Sequence, residues 1–209
     1  MKLDGASDIE NAFGVSRETI EMLEHFVELT LKWSPRINLI SKSTHSVIWS
    51  RHIADSLQIV PLISGSPTSW LDLGSGGGFP GVVAAICLKP SVPECRFTLV
   101  DSDSRKGVFL KTVARELDLN MEVLSDRIQD IVRPPSDIIT ARALARLPDL
   151  LEMAHPHVKK NSVCLFLKGA DADCELTQAR ESWTMEVEQI KSITNPNGVI
   201  LKIGGLARV

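Results

Sequence analysis

The sequence predicts an α/β protein with a seven-stranded, mostly parallel sheet covered by helices on both faces. From residue 70 onward, short apolar segments alternate with helix-like segments, and this alternation is typical of a parallel sheet. A glycine-rich turn at 74–81 joins the first predicted strand to a helix. The last two strands are separated only by Asn-Pro-Asn-Gly at 195–198, which predicts an antiparallel hairpin at one edge of the sheet.

The individual strands and helices follow from apolar periodicity and turn residues. Strands are expected at 70–73, 96–101, 121–125, 137–141, 162–168, about 185–192 and 198–203. Helices between and after them are expected at 80–89, 104–118, 145–157 and near 172–183, with a short one near 127–132.

The part of the chain before the sheet is expected to be helical. Residues 16–33 have the spacing of an amphipathic helix, which Pro35 should end, and a second helix is expected at 45–62. We therefore expect an N-terminal helical extension, 1–65, and one domain, 66–209, that together form one compact unit.

Composition narrows the class of protein. The 209 residues are 44% hydrophobic and 23% charged, which is ordinary for a globular protein. No apolar stretch of about 18 residues predicts a membrane helix, and the N-terminus lacks a signal-peptide core. Four cysteines without a C-x-x-C pair favour reduced thiols over a zinc site or disulfides. We expect a cytoplasmic, monomeric protein without a metal or a membrane contact.

The distribution of charge is more informative than the net charge of −3. Basic residues are concentrated at 29–60 and at 105–115. Local basic faces of this kind can bind RNA electrostatically. The alternative, an ordinary solvated helix face, is the better interpretation of either segment taken alone.

The glycine-rich turn predicts a site for a nucleotide-type cofactor. Five glycines fall within the eight positions 74–81, and glycine lets backbone N–H groups approach a ligand closely. A G-x-G-x-x-G pattern from Gly76 to Gly81 would suit a dinucleotide, but Pro80 has no N–H for a phosphate and Asp72 adds negative charge. S-adenosylmethionine, which has no phosphate and carries positive charge, fits better. The alternative is a tight turn without a ligand.

A second acid points to the same kind of ligand. Asp101 ends the second predicted strand, 27 positions after Gly74. In parallel α/β cofactor folds an acid at this place binds the ribose hydroxyls. The alternative is that Asp101 and Ser102 cap the next helix.

Several segments together resemble one known family. They are Lys-Trp at 32–33, Ile-Asn-Leu at 37–39, Arg-His-Ile-Ala-Asp-Ser-Leu at 51–57, the glycine-loop segment 71–81, Phe-Thr-Leu-Val-Asp-Ser at 97–102, Ala-Arg-Ala at 141–143 and Leu-Lys-Gly at 167–169. With these segments the chain resembles the RsmG (GidB) family, the methyltransferases that modify a guanine N7 of bacterial 16S ribosomal RNA. The glycine loop with Phe-Pro-Gly, joined to an upstream Arg-His-x-x-Asp-Ser, is the specific part of the resemblance.

The resemblance implies a Rossmann-like class I methyltransferase that uses S-adenosylmethionine and acts on small-subunit ribosomal RNA or on the ribosomal subunit. Family contacts to the cofactor map onto Gly74, Phe79, the pair Ile128-Gln129 and Arg142. With the glycine loop and the second acid, the expected cofactor residues are Asp72, Gly74, Ser75, Gly76, Phe79, Asp101, Ser102, Ile128, Gln129 and Arg142. The chain departs from the family pattern in the order Arg105-Lys106, at Ala141 and at the neutral Gln129.

Arg142 is the residue that we expect to matter most for catalysis. It ends the fourth predicted strand, where ligand clefts of α/β folds open, and it could donate to guanine O6, a phosphate or the cofactor. We expect it to stand in an open cleft and support little packing; the alternative is a strand-end salt bridge. Guanine N7 carries a lone pair and no proton, so no general base, metal or reactive cysteine is expected.

The expected substrate-binding residues are Asn38, Arg51, His52, Asp55, Ser56 and Lys168. His52, Asp55 and Ser56 share a helix face by their i, i+3, i+4 spacing, and contact with RNA and a structural network are equally good interpretations. Asn38 could instead stabilise a turn. Two other functions stay open at this point: a dinucleotide-dependent oxidoreductase, and a non-catalytic RNA-binding protein that kept the fold.

Overall fold

The computed structural model describes residues 3–209, so Met1 and Lys2 of the expected extension lie outside the described residues. The strands are β1 (Ser69–Leu73), β2 (Arg96–Val100), β3 (Met121–Leu124), β4 (Ser136–Arg142), β5 (Val158–Lys168), β6 (Trp183–Lys191) and β7 (Val199–Arg208). They form one sheet in the order β3-β2-β1-β4-β5-β7-β6, in which only the pairs made by β7 are antiparallel. The predicted sheet and its edge hairpin are confirmed.

The helices are α1 (Ala6–Phe13), α2 (Arg17–Ile37), α3 (Asp55–Leu57), α4 (Gly81–Leu88), α5 (Ser104–Glu116), α6 (Leu147–Ala154) and α7 (Ala172–Ala179). The four longer helices predicted after the first strand are confirmed, and the short one near 127–132 is a 3-10 turn, Ile128–Asp130. Helix α1 lies within the predicted helical extension but was not predicted as a separate helix. The side chain of Asp103 caps α5 by accepting from the backbone N–H of Arg105. The alternative role of Asp101 and Ser102 as the cap of this helix is therefore wrong.

Pro35 does not end α2, which continues to Ile37. A proline in the last turn removes only one hydrogen bond near a helix end that is already open. The helix ends instead at Asn38, whose φ of 49° is left-handed and whose backbone N–H donates to the carbonyl of Ser34. Asparagine tolerates this conformation better than most residues.

The helix predicted at 45–62 is a series of short turns. A 3-10 turn (Lys42–Val47), a π-helical turn (Trp49–Ala54), α3 and a second 3-10 turn (Val60–Leu62) follow one another. Within the wider turn and α3, His52 and Asp55 are both buried. Such π-helical turns are frequent at functional sites.

Two hydrophobic clusters cover the two faces of the sheet. Trp70 belongs to the first cluster with side chains of the N-terminal helices such as Phe26. Leu71 belongs to the second cluster with side chains of α6 such as Leu151. Because neighbouring residues of a strand point to opposite faces, β1 lies between two packed layers. The division at 65 and 66 remains a prediction, since the N-terminal helices share the first cluster with the sheet.

A helix that crosses a membrane has to be both long and apolar. Within residues 3–209, no helix combines the length and the hydropathy that a membrane-spanning segment requires.

Candidate functional site

A cleft of about 560 Å³ opens where β1, β4 and β5 end. The loop after β1, the residues that follow β4 and β5, the π-helical turn and the β6–β7 turn all contribute to its walls. Carboxyl ends of parallel strands are where α/β proteins bind ligands. The position of the cleft therefore agrees with the sequence-based expectation for a site.

Ten of the expected site residues line this cleft, all at positions within the described range. From the expected cofactor set these are Gly74, Ser75, Gly76, Phe79, Asp101 and Arg142. From the expected substrate set they are Arg51, His52, Asp55 and Lys168. Lining a cleft is not the same as binding, so the roles of these residues remain predictions.

Gly76 presents its backbone to the cleft. Its φ of 55° is left-handed, and a Cβ added to it would meet only the carbonyl oxygen of Gly74, at 3.8 Å. Such a Cβ would therefore project into free space that the cleft provides. The absence of a side chain at Gly76 leaves room for a ligand to approach the backbone.

Gly81 has a different role from Gly76. A Cβ on Gly81 would lie 2.7 Å from Oδ2 of Asp72, which is closer than real Cβ atoms come to other heavy atoms. This glycine allows the first turn of α4 to pack against β1. The glycine-rich turn thus serves close helix–strand packing as well as access to the cleft.

Asp72 does not line the cleft, contrary to the expectation that it contacts the cofactor. The residue is fully buried, and its Oδ1 accepts a hydrogen bond of 2.6 Å from Oγ1 of Thr140. Burial raises the pKa of Asp72 to about 6, although Thr140, Ser75, the Gly81 N–H and Arg142 favour the charged form. The Asp72 side chain therefore lies beneath the glycine loop, where it accepts from Thr140 and packs against Gly81.

Asp101 connects β2 to the glycine loop. Its Oδ2 accepts from the backbone N–H of Gly76 at 2.8 Å, and its Oδ1 accepts from the N–H of Asp103 at 2.9 Å. Each carboxylate oxygen has a further lone pair. The side chain can therefore brace the loop and still accept from ligand hydroxyls in the cleft.

Arg142 is packed and paired. Its Nη1 donates to Oδ2 of Asp55 at 3.2 Å and to the carbonyl of Arg51 at 3.3 Å, and its Nη2 donates to Nδ1 of His52 at 2.9 Å. The guanidinium also lies 5.1 Å from the ring centroid of Phe79. With 17% of its side chain exposed, the expectation that Arg142 supports little packing is wrong, and the alternative salt bridge is present.

The contacts of Arg142 still leave part of it free. A guanidinium has five N–H donors, and these contacts use three. Within residues 3–209, no acceptor is bonded to the Nε–H of Arg142 or to its second Nη2–H. Because Arg142 also lines the cleft, contact of these donors with a ligand remains the prediction.

His52 is a neutral, buried partner of Arg142. Burial and the positive charges of Arg142 and Arg51, with a contribution from His45, lower the pKa of His52 to about 3. Its ring also lies 5.0 Å from that of Phe79. Residues 52–56 thus form a structural network with Arg142, as one of the two interpretations predicted. His52 and Asp55 also line the cleft.

Lys168 is held by an ion pair with Glu175. Its Nζ lies 2.6 Å from Oε2 of Glu175 and donates to the carbonyl of Ala145 at 2.8 Å, with 11% of the side chain exposed. Glu175 also accepts from the N–H of Leu147 at the start of α6. The pair therefore braces the loop after β4, which makes Lys168 less available to an RNA phosphate than we expected.

Six expected site residues, all described by the structure, are not part of the lining of the cleft: Asp72, Ser102, Ile128, Gln129, Asn38 and Ser56. Ile128 is buried in the second hydrophobic cluster, and Gln129 is exposed. Ser56 is fully buried and donates to the carbonyl of His52. Asn38 is the left-handed end of α2, which is the turn role named as its alternative.

Sequence reasoning missed one wall of the cleft. Ser192, Asn195 and Gly198 of the β6–β7 turn line it, together with Gln58. Gln58 holds the turn by donating to Oγ of Ser192 and accepting from the N–H of Ile193. The Asn-Pro-Asn-Gly signal predicted the turn, but nothing local predicts which distant segment a turn will approach.

The chain matches known proteins over most of its length. The family model described as rRNA small subunit methyltransferase G matches residues 19–200. A protein named Ribosomal RNA small subunit methyltransferase G, from Cereibacter sphaeroides, is 51% identical over 195 residues, which cover 93% of this chain and 95% of that protein. A protein of the same name from Ruegeria sp. is 43% identical over 208 residues, with 99% of each chain covered.

Solved structures show the same fold at low sequence identity. An O-methyltransferase from Bacillus cereus in complex with SAH aligns with a TM-score of 0.61 and 12% identity, over 95% of this chain and 96% of that one. The ribosomal protein L11 methylase from Lactobacillus delbrueckii subsp. bulgaricus aligns with a TM-score of 0.58 and 16% identity, over 77% of this chain and 78% of that one. The Rossmann-like methyltransferase fold is thereby confirmed, and the oxidoreductase alternative is not favoured. The chain belongs to the rRNA small subunit methyltransferase G family and is an S-adenosylmethionine-dependent methyltransferase.

Proposed function

We propose that this protein transfers a methyl group from S-adenosylmethionine to N7 of a guanine in bacterial 16S ribosomal RNA. The observation that carries the proposal is the family match over 19–200, which includes every residue that lines the cleft. Mapping the modified nucleotide on naked RNA and on assembled subunits identifies both the target guanine and the form of the substrate.

The cleft has features that fit the cofactor. The backbone of Gly74–Gly76 and the ring of Phe79 would hold it, and Asp101 would accept from its ribose hydroxyls. The missing Cβ at Gly76 leaves the space that such an approach needs. When bound, S-adenosylmethionine supplies an activated methyl group.

The chemistry then requires alignment rather than proton removal, since guanine N7 carries a lone pair. The protein has to hold N7 in line with the methyl group, and alignment of this kind can lower a barrier by several kcal/mol. The two free N–H donors of Arg142 suit guanine O6 or a phosphate. A hydrogen bond to N7 itself would occupy the reacting lone pair.

The basic segments meet on one side of the cleft. His25 of α2 lies 2.9 Å from Glu116 of α5, and Trp33 packs on Phe109 at 5.7 Å between ring centroids. These contacts make the two helices antiparallel, so the basic end of α2 lies towards the basic start of α5. Lys106 of α5 also lines the cleft. This arrangement supports the proposal that both segments contact RNA around the entrance.

Binding of ribosomal RNA is expected to depend on these basic residues and on salt. Replacing the exposed Lys32, Arg36 and Lys111 by alanine should weaken binding of the small subunit and lower the salt slope of log K by about one for each phosphate that is no longer neutralised. Lys160→Ala is the control for the loss of one positive charge and is compared with each of the three single substitutions, because Lys160 is exposed at the opposite end of β5. A salt-independent affinity, or an equal effect of the control, would contradict this surface. Filter binding at several salt concentrations measures both quantities.

The product is tested directly by mapping N7-methylguanine in 16S ribosomal RNA. Cells that lack this protein should lose one such modification, and the purified protein with S-adenosylmethionine should restore it on RNA or subunits from those cells. Methylation confined to proteins or small molecules would refute the proposal. Binding of S-adenosylhomocysteine and RNA without any methylation would favour the non-catalytic alternative.

The remaining parts of the proposal concern organisation. We assign residues 1–65 to a helical extension of the catalytic domain, 66–209. We place the protein in the cytoplasm, where its ribosomal substrate is made, and assign it a monomeric state. Light scattering of the purified protein, alone and with S-adenosylhomocysteine, measures that state.

A further inference from the structure

A chain of three hydrogen bonds runs from the cleft to the first 3-10 turn. Nη2 of Arg142 lies 2.9 Å from Nδ1 of His52, and Nε2 of His52 lies 2.9 Å from Oγ1 of Thr44. The Thr44 hydroxyl donates to the carbonyl of Ser41, also at 2.9 Å. These three hydrogen bonds join Arg142 to the first 3-10 turn. Among the described residues, that turn makes no other hydrogen bond that leads to the end of β4.

The direction of every bond in this chain is determined. A guanidinium has donors and no acceptor, so Nδ1 of His52 must accept. A neutral ring that accepts at Nδ1 carries its proton on Nε2, and that proton is donated to Thr44. The Thr44 oxygen can accept it because its own proton is used on Ser41. Only the neutral Nε2–H tautomer of His52 satisfies all of these groups.

The pKa of His52 agrees with this geometry. Burial and the facing charges of Arg142, Arg51 and His45 disfavour a second proton on the ring. Asp55 is the acid that pairs with the guanidinium, and it bonds Nη1 of Arg142, not the ring. His52 is therefore a neutral acceptor near neutral pH.

His52 and Asp55 hold two different nitrogens of one planar group. Asp55 is fixed in turn by Thr194 at 2.6 Å and Gln58 at 3.0 Å on its Oδ1. These contacts on separate nitrogens, together with the ring of Phe79, fix the orientation of the guanidinium, whereas without His52 all its hydrogen bonds would be on Nη1. With this orientation fixed, the free Nε–H and Nη2–H of Arg142 have one direction.

We infer that His52 is a positioning residue for Arg142, and that Thr44 stabilises the tautomer in which His52 can do this. The inference rests on the proposed function, in which the free donors of Arg142 face the substrate or cofactor. Thr44 does not line the cleft, so it would affect turnover only indirectly, through His52 and Arg142.

Thr44→Val tests the role of Thr44 with little change of shape. Without the Thr44 acceptor, the Nε2–H of His52 becomes a donor with no partner, so the tautomer that accepts from Arg142 loses part of its advantage and holds the guanidinium less firmly. Single-turnover methylation at saturating cofactor and RNA should fall about threefold to tenfold, while Thr44→Ser retains the wild-type rate. Thr177→Val is the matched control, since Thr177 makes a similar hydroxyl-to-carbonyl bond on α7. Equal rates in Thr44→Val and Thr177→Val would overturn the inference.

His52 is tested with two variants that differ in their acceptor. The side-chain oxygen of His52→Asn can replace Nδ1, whereas His52→Leu cannot. We expect a loss of roughly tenfold to a hundredfold in the leucine variant and a clear recovery with asparagine, at similar affinity for S-adenosylhomocysteine. Equal losses in both variants would mean that His52 only fills space.

NMR of the imidazole nitrogens separates this inference from the proposed function, because it needs no activity and no variant. In the wild-type protein near neutral pH, Nε2 of His52 should be protonated and Nδ1 should not. A proton on Nδ1 would overturn the inference even if the protein methylates 16S ribosomal RNA. The expected tautomer in a protein that fails to methylate guanine N7 would support the local geometry and refute the proposed function.

Discussion

Gly76→Val is expected to abolish binding of S-adenosylhomocysteine. A Cβ at this position would meet only the Gly74 carbonyl, at 3.8 Å, and the rest of the added side chain would occupy the cleft. The backbone N–H of Gly76 also donates to Asp101, so displacement of the loop would move the residue that we propose as the ribose acceptor as well. Titration calorimetry of the variant should detect no binding at ligand concentrations that saturate the wild-type protein.

Gly65→Val is the matched control for backbone strain. Gly65 has a φ of 73°, comparable to the 55° of Gly76, and nothing lies within 4 Å of its added Cβ. A valine in the left-handed region costs about 1–3 kcal/mol at either position, so both variants should melt at lower temperature. Only Gly76→Val should lose the ligand. Retained affinity in a folded Gly76→Val protein would exclude the proposed position of the cofactor.

The sheet could be predicted because most strands contain a short apolar segment bounded by turn residues. The exceptions are the start of β5, which was expected at 162 and lies at Val158, and the end of β7, which was expected at 203 and lies at Arg208. Gly204 and Gly205 look like the end of a strand in the sequence. In the structure they lie where the β6–β7 register shifts, and Gly205 has a φ of 59°, so a bulge lets the strand continue.

Part of the lining of the cleft could be predicted as well, since carboxyl ends of parallel strands meet at one edge. Gly76, Asp101 and Arg142 were identified in this way, and all three line the cleft. Asp72 was misplaced, although strand alternation contained the correct signal. It shares a face with Trp70, which packs beneath the N-terminal helices and α4, and not in the cleft.

The pairs that hold the site together could not be predicted. Lys168 with Glu175 and Arg142 with His52 join segments that are close only after folding. Each partner alone is an ordinary charged or polar residue on a helix or strand, so local pattern gives no signal for the contact. The packing of Arg142 could not be predicted for the same reason, because an arginine at a strand end can equally well be exposed to solvent.

Arg142→Ala is expected to lower both turnover and stability. Loss of one positioned contact whose partner is left unpaired costs about 1–3 kcal/mol, so single-turnover methylation should fall roughly tenfold to a hundredfold. The melting temperature should also fall, because Oδ2 of Asp55 and Nδ1 of His52 lose their buried donor. Arg142→Lys should recover only part of the rate, since an ammonium lacks the planar fork that reaches Asp55 and His52 together.

Arg208→Ala separates the catalytic contribution of Arg142 from its structural one. Arg208 also stands at a strand end, stacks on an aromatic ring, Trp183 at 4.8 Å, and pairs with an acid, Glu152, but it lies outside the cleft. Rates are measured on folded protein, at a temperature below the melting transition of every variant. We expect the Arg208 variant to lose stability without losing turnover. If Arg142→Ala lost activity only in proportion to its unfolded fraction, or retained full activity, the guanidinium would be a structural salt bridge with no part in methyl transfer.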